Sequence, residues 1–208
     1  MAETGAFQAI PLIDLSDHPA PYEELARREE ARCLALLTAG RRQLSPPLLS
    51  FMDRRSRHWA NQINLPYGGE IAALAADRPT GLWFMNLCYE WGCTTTVGPG
   101  EDGSAELCRS LDWPFNGIGR NVVVARVSRP SDAGPYFNVT WPGYAGVITA
   151  MAPGRFTIAI NQAPMARRSG LKPLDWLLAR MKVGRSAALP PALLLRRVFE
   201  KCASFAEA

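Results

Sequence analysis

A thiol, a guanidinium and a carboxylate fall close together in YEWGCTTTVGPGEDGSAELCRSLDWPF, residues 89–115: Cys93, Arg109 sixteen positions on, and Asp112 three beyond that. A guanidinium beside a thiol favours the nucleophilic thiolate, whereas a cysteine packed among apolar neighbours stays an inert thiol. Residue type alone leaves both readings of Cys93 open. What separates it from Cys33, Cys88, Cys108 and Cys202 is a strand start directly after Gly92, with Arg and Asp downstream. Sulfur attack on a carbonyl also needs a base for the thiol proton. The two histidines, His18 and His58, both lie in the N-terminal part of the chain. The other available base is the α-amine of the cysteine itself, freed by cutting the Gly92–Cys93 bond.

The elements that must position these groups follow from turn chemistry and periodicity. CTTTV and SAELCRSLDW flank GPGEDG, whose Gly, Pro and Asp predict a β-hairpin with a loop of about five or six residues. Folding about the middle of that turn sets Cys93 opposite Cys108 or Arg109. GPGEDG also spells GxGxxG, but a strand rather than a helix follows it, so the dinucleotide-binding reading is discarded. Upstream, residues 22–37 and PLLSFMDRRSRHWANQINL have helical period and form an N-terminal helical arm. Residues 82–162 read as a strand meander, GLWFMNLCYEW through NVVVARVS, YFNVTW, GVITAMA and FTIAINQ. LKPLDWLLARMKVG and PPALLLRRVFEKCASFAEA return to helix. Helices, strands, then helices give an α+β layout.

Composition narrows the function classes. The chain has 208 residues, 48% of them hydrophobic, enough for one sizeable core. Its net charge of +4 is spread over scattered arginines, without the basic run of a nucleic-acid tail. The N-terminus lacks the basic and apolar segments of a signal peptide, and no apolar run is long enough to span a bilayer. Five cysteines without framework spacing fit a reducing compartment, so a cytoplasmic protein with no stable membrane insertion is expected. Asn138-Val139-Thr140 is read as strand sequence rather than as a glycosylation site. No metal-ligand spacing, HExxH or GxSxG occurs, and neither metal nor cofactor is expected.

From about residue 87 to the end, the chain resembles the Cys-type N-terminal nucleophile (Ntn) hydrolases of the acid ceramidase and N-acylethanolamine acid amidase branch, related to choloylglycine hydrolase and penicillin V acylase. The resemblance rests on Cys93, Arg109 and Asp112 in register, on RSLDWPF, on PGRFTIAINQ, and on the two helical stretches after it. It implies an αββα sandwich, here shortened at the C-terminal end, with a propeptide-like helical segment over residues 1–92 and a catalytic segment over 93–208. In the resembled enzymes the chain continues past those helices. A fragment, a shortened descendant, or completion by another chain, including a homo-oligomer, is therefore expected.

The resemblance also implies roles. Cys93 attacks the amide carbonyl after autocleavage, its α-amine shuttling the proton; Asp112 orients that amine; Arg109 holds sulfur and carboxylate in register; Asn161 donates to the oxyanion. Arg109–Asp112 as a plain cross-strand ion pair and Asn161 as a turn residue are the competing readings. Gln162 stands where acid ceramidases carry an acidic residue, which leans toward the acylase relatives. Trp113, Phe137, Trp141 and Tyr144, with Gln162, are the candidate lining of an acyl slot, against a reading of the aromatics as plain core. Alternation puts Phe137, Val139 and Trp141 on one face. The expected activity is hydrolysis of a nonpeptide N-acyl amide. The alternatives are bile-salt or penicillin V acylase-like activity and a catalytically silent acyl-lipid-binding protein.

Overall fold

The computed structural model describes residues 9–88, 92–113, 115–163 and 168–208, and of residues 172, 173 and 177 the backbone alone. Residues 89–91 of the expected strand GLWFMNLCYEW and Pro114 of RSLDWPF lie outside the described residues.

Five strands form one mixed sheet: β1 (Leu12–Asp14) runs parallel to β4 (Val123–Val127). Antiparallel pairing then continues through β5 (Tyr136–Thr140), β6 (Thr149–Ala152) and β7 (Phe156–Ala159). A separate antiparallel hairpin joins β2 (Gly92–Pro99) to β3 (Ala105–Asp112). The helices are α1 (Pro21–Arg28), α2 (Glu30–Gln43), α3 (Pro46–Gln62), α4 (Gly68–Ala76), α5 (Leu82–Leu87), α6 (Lys172–Val183) and α7 (Pro191–Lys201). The molecule is α+β. Among the described residues no helix is long and apolar enough to cross a membrane.

Two cores explain this arrangement. In one, Val123, Ala125, Val127 and Tyr136 of the sheet pack with Leu25 of α1 and Leu195 and Phe199 of α7. In the other, α2 to α5 pack around Trp113, Phe115, Trp141 and Tyr144. Burying each large apolar side chain contributes about 1.5–3 kcal/mol, so the first core holds α1 and α7 on one face of the sheet and the second joins α2 to α5 to the segments that flank the strands. The single helix expected over residues 22–37 is two, broken at Glu29. The break lets Leu25 serve the first core while Cys33, Leu36 and Leu37 serve the second.

The expected strand from Gly81 is helix α5. A continuous apolar run fits a buried helix as well as a buried strand, and all six residues of α5 are buried. The Asp53 carboxylate accepts the Phe84 N–H at 3.0 Å near the helix start, satisfying a donor that has no partner within the helix. Helix α4 carries no sequence expectation. Its two opening glycines hide a short apolar helix whose Ile71 and Leu74 are fully buried.

Beside the sheet lies a buried cation. Arg196 is fully enclosed, donates to Glu200 Oε1 at 2.8 Å and to both oxygens of Glu70, and is sandwiched between the rings of Tyr22 and Tyr67. Its remaining guanidinium contact is the carbonyl of Ala145, 2.9 Å away. A charge so buried is tolerated only because it is paired and hydrogen-bonded throughout.

Candidate active site on the β-hairpin

The hairpin turns over five residues, 100–104, centred on Asp102. Gly103 takes the left-handed conformation that the turn needs, and Asp102 Oδ1 accepts the Ser104 N–H at 2.9 Å. This register sets Cys93 opposite Leu111 and Arg109 opposite Thr95. The expected pairing of Cys93 with Cys108 or Arg109 is therefore two or three positions out. The contact survives the shift, because a diagonal neighbour on the same face lies within reach of a long side chain. Arg109 Nη2 donates to Cys93 Sγ at 2.6 Å.

The guanidinium is a junction between the two sheets. Nη1 donates to the Ile148 carbonyl at 3.1 Å and to Thr149 Oγ1 at 2.5 Å, while Nη2 also donates to the Ile160 carbonyl at 2.9 Å. Two of these acceptors are main-chain atoms of the β6–β7 hairpin, so the fork is held by backbone and its position does not depend on the sulfur. Asn161 follows Ile160, and its Oδ1 accepts from Thr95 Oγ1 at 2.8 Å. With the acceptor end so engaged, the amide retains its N–H donors for another group.

Asp112 stands opposite Gly92, on the alternate face from Cys93. A Cβ built on Gly92 would lie 3.9 Å from Asp112 Oδ2, so the carboxylate neighbours the residue whose carbonyl precedes Cys93. Cys93 is partly exposed, unlike Cys33, which is fully enclosed and whose thiol burial pushes up from its ordinary range.

A cavity of about 640 Å³ opens against the hairpin face that carries Leu107, Arg109 and Leu111; Thr149 and the strand-end residue Asp112 also border it, with an apolar wall that includes Trp113 and Trp141. Trp113 meets Trp141 edge-on, centroids 5.3 Å apart, and Trp141 Nε1 donates to the Ile118 carbonyl at 2.9 Å. The wall is thus apolar and rigid. Of the other expected lining residues, Tyr144 is buried behind it, 6.0 Å from the Trp113 ring. Phe137 and Val139 share a face of β5, but Val139 borders the cavity and Phe137 does not. Gln162 is exposed next to Asn161. Asn116, which borders the cavity, and Thr149 and Thr95 are not among the expected site residues. Nothing local marks Thr149 or Thr95, since their partners, Arg109 and Asn161, lie far along the chain. His18 Nδ1 accepts the Ala20 N–H, and His58 borders a groove between α3 and α6. Neither histidine bonds to the sulfur.

No family profile matches the chain. It is 26% identical to an N-acylethanolamine-hydrolyzing acid amidase of Caenorhabditis elegans over 72% of this chain and 40% of that protein. A Cavia porcellus protein of the same name is 26% identical over 54% of this chain and 36% of its own length. An acid ceramidase of Heterocephalus glaber is 23% identical over 79% and 45%. The chain spans less than half the length of the curated relatives it matches.

Proposed function

We propose that this chain carries the nucleophile of an Ntn-type amide hydrolase acting on N-acyl compounds, with Cys93 as the attacking residue. The observation that carries the reading is the 2.6 Å contact between Arg109 and the Cys93 sulfur on the face of the hairpin that meets an apolar cavity. The similarity to acid amidases and an acid ceramidase supports the bond class. The mixed sheet with helices supports an αββα frame.

Hydrolysis of the Gly92–Cys93 bond frees the α-amine and divides the chain into residues 1–92 and 93–208. That amine takes the thiol proton as sulfur attacks the substrate carbonyl. The tetrahedral oxyanion needs fixed donors, and the Asn161 amide supplies one. As the carbon–nitrogen bond breaks, the proton passes to the departing amine, leaving an acyl thioester on Cys93. Water, deprotonated by the same α-amine, then attacks the thioester, releases the carboxylic acid and restores the thiol. Asp112, beside Gly92, accepts hydrogen bonds from the freed amine. Arg109 keeps the sulfur in place through its three anchors on other strands. The acyl group occupies the Trp113–Trp141 cavity, where its burial contributes the binding energy.

The test is release of a fluorogenic amine from an N-acyl substrate. Cys93→Ala is expected to abolish release and Cys108→Ala, on the opposite, exposed face, to leave it unchanged. Saturable acyl binding without amine release, or release by Cys93→Ala, overturns the proposal.

A further inference from the structure

The β5–β6 loop is tied down at every residue from 143 to 148. The Gly143 carbonyl accepts from Asn86 Nδ2 at 2.9 Å, and the Ala145 N–H donates to Asn86 Oδ1 at 2.7 Å. Tyr144 N–H donates to the Trp141 carbonyl at 3.0 Å, Arg196 holds the Ala145 carbonyl, and Asn138 Nδ2 donates to the Gly146 carbonyl at 3.2 Å. Val147 N–H donates to the Ala192 carbonyl at 2.9 Å, and the Ile148 carbonyl is the one that receives Arg109. The loop also presses on α2: Gly143 has φ +91, and a Cβ there would lie 2.7 Å from Cys33 Sγ.

Asn86 does more here than cap a turn. It is 2% exposed, and its second amide contact is the Leu82 carbonyl of its own helix at 2.9 Å. An amide that donates to two carbonyls and accepts one N–H has its orientation set by those partners, because exchanging O and N would oppose like groups. Helix α5 thus fixes the near end of the loop, while the far end supplies the Ile148 carbonyl and Thr149 hydroxyl that seat the guanidinium.

We infer that Asn86 is a positioning residue for Cys93, acting through this loop and Arg109. The inference rests on Cys93 being the reacting group, but its readout is thiol chemistry rather than amide turnover. Asn86→Ala removes all three bonds; Asn86→Asp keeps the acceptor for Ala145 N–H but loses the donor to the Leu82 and Gly143 carbonyls. The rate constant for alkylation of each cysteine by iodoacetamide, resolved by peptide mass spectrometry, measures the effect. Labelling of Cys33 and Cys88, both fully buried, reports on the fold. Asn86→Ala is expected to change the Cys93 rate by about tenfold, roughly the worth of one hydrogen bond, and Asn86→Asp, which opposes an oxygen to the Leu82 and Gly143 carbonyls, to change it at least as much, with Cys33 and Cys88 still protected. An unchanged Cys93 rate in Asn86→Ala, or a parent-like rate in Asn86→Asp, overturns the inference. Should Asn86→Ala expose Cys33 and Cys88, amide hydrogen exchange of the unaltered chain decides. Protection of residues 143–148 equal to that of β5 is expected, and rapid exchange there overturns the inference. A chain that shows the alkylation effect without hydrolysing amides loses the proposed function alone. A hydrolase indifferent to Asn86 loses this inference alone.

Discussion

Arg109 reaches the sulfur of Cys93 from a diagonal position: Leu111 is the residue directly opposite Cys93, yet the guanidinium stands 2.6 Å from Sγ. Four acceptors meet on that one planar fork: side-chain atoms of Cys93 in β2 and Thr149 in β6, and the carbonyls of Ile148 and Ile160 that flank β6 and β7. A lysine carries a single point charge on a flexible stem and cannot span them. Arg109→Lys is expected to lower stability by about 1–3 kcal/mol, the cost of leaving a buried carbonyl unpaired, and to slow Cys93 chemistry. Urea midpoints and alkylation rates check this. A variant as stable and reactive as the parent would show that the fork is incidental.

Gly119 borders the cavity, is not among the left-handed glycines, and has no atom within 4 Å of where a Cβ would stand. Neither crowding nor backbone conformation therefore requires glycine there. Gly119→Leu is expected to shorten the preferred acyl chain, with kcat/KM for the longest substrates falling by about 10-fold or more and that for short ones little changed. Gly117, at φ +84, is different in kind: Gly117→Leu is expected to cost about 1–2 kcal/mol of stability. A chain-length profile identical to the parent's would contradict the reading of the cavity.

Acid stability has a local source in α1. Hydrogen bonds from Arg27 and then Arg28 hold the Glu24 carboxyl at about 2, against an ordinary value of 4.5. Because the folded chain releases this proton more readily than the unfolded one, the contribution is fully present above about pH 4.5 and is lost as the pH falls through about 2. Glu24→Gln is expected to flatten the decline in urea midpoint across that window. An equal slope in both proteins would place the acid sensitivity elsewhere, for example at Asp14, which hydrogen bonds from Ser16 and then Arg126 hold at about 2.

Much of this was legible because local physics decides it. Strand β4 alternates buried and half-buried residues, and Pro191 starts α7 where a missing N–H costs nothing. The neighbourhood of Cys93 and Arg109 followed from the turn residues alone. What local pattern leaves undecided is register, which depends on the residue at the centre of the turn, and the nature of a run such as LWFMNL, where burial on all sides removes the period. The groups that seat Arg109 were out of reach for a plainer reason. Two are backbone carbonyls, which any residue carries, and they lie 39 and 51 positions away. Asn86 likewise acts across 57 and 59 positions, on a loop whose own sequence shows nothing of the partner.

The most direct test of the Cys93 account is peptide mass spectrometry of the chain after exposure to an acyl-donating thiol probe. One acyl adduct is expected, carried by a fragment whose first residue is Cys93. An unbroken Gly92–Cys93 bond, with acylation spread evenly over the exposed thiols Cys93, Cys108 and Cys202, would contradict it.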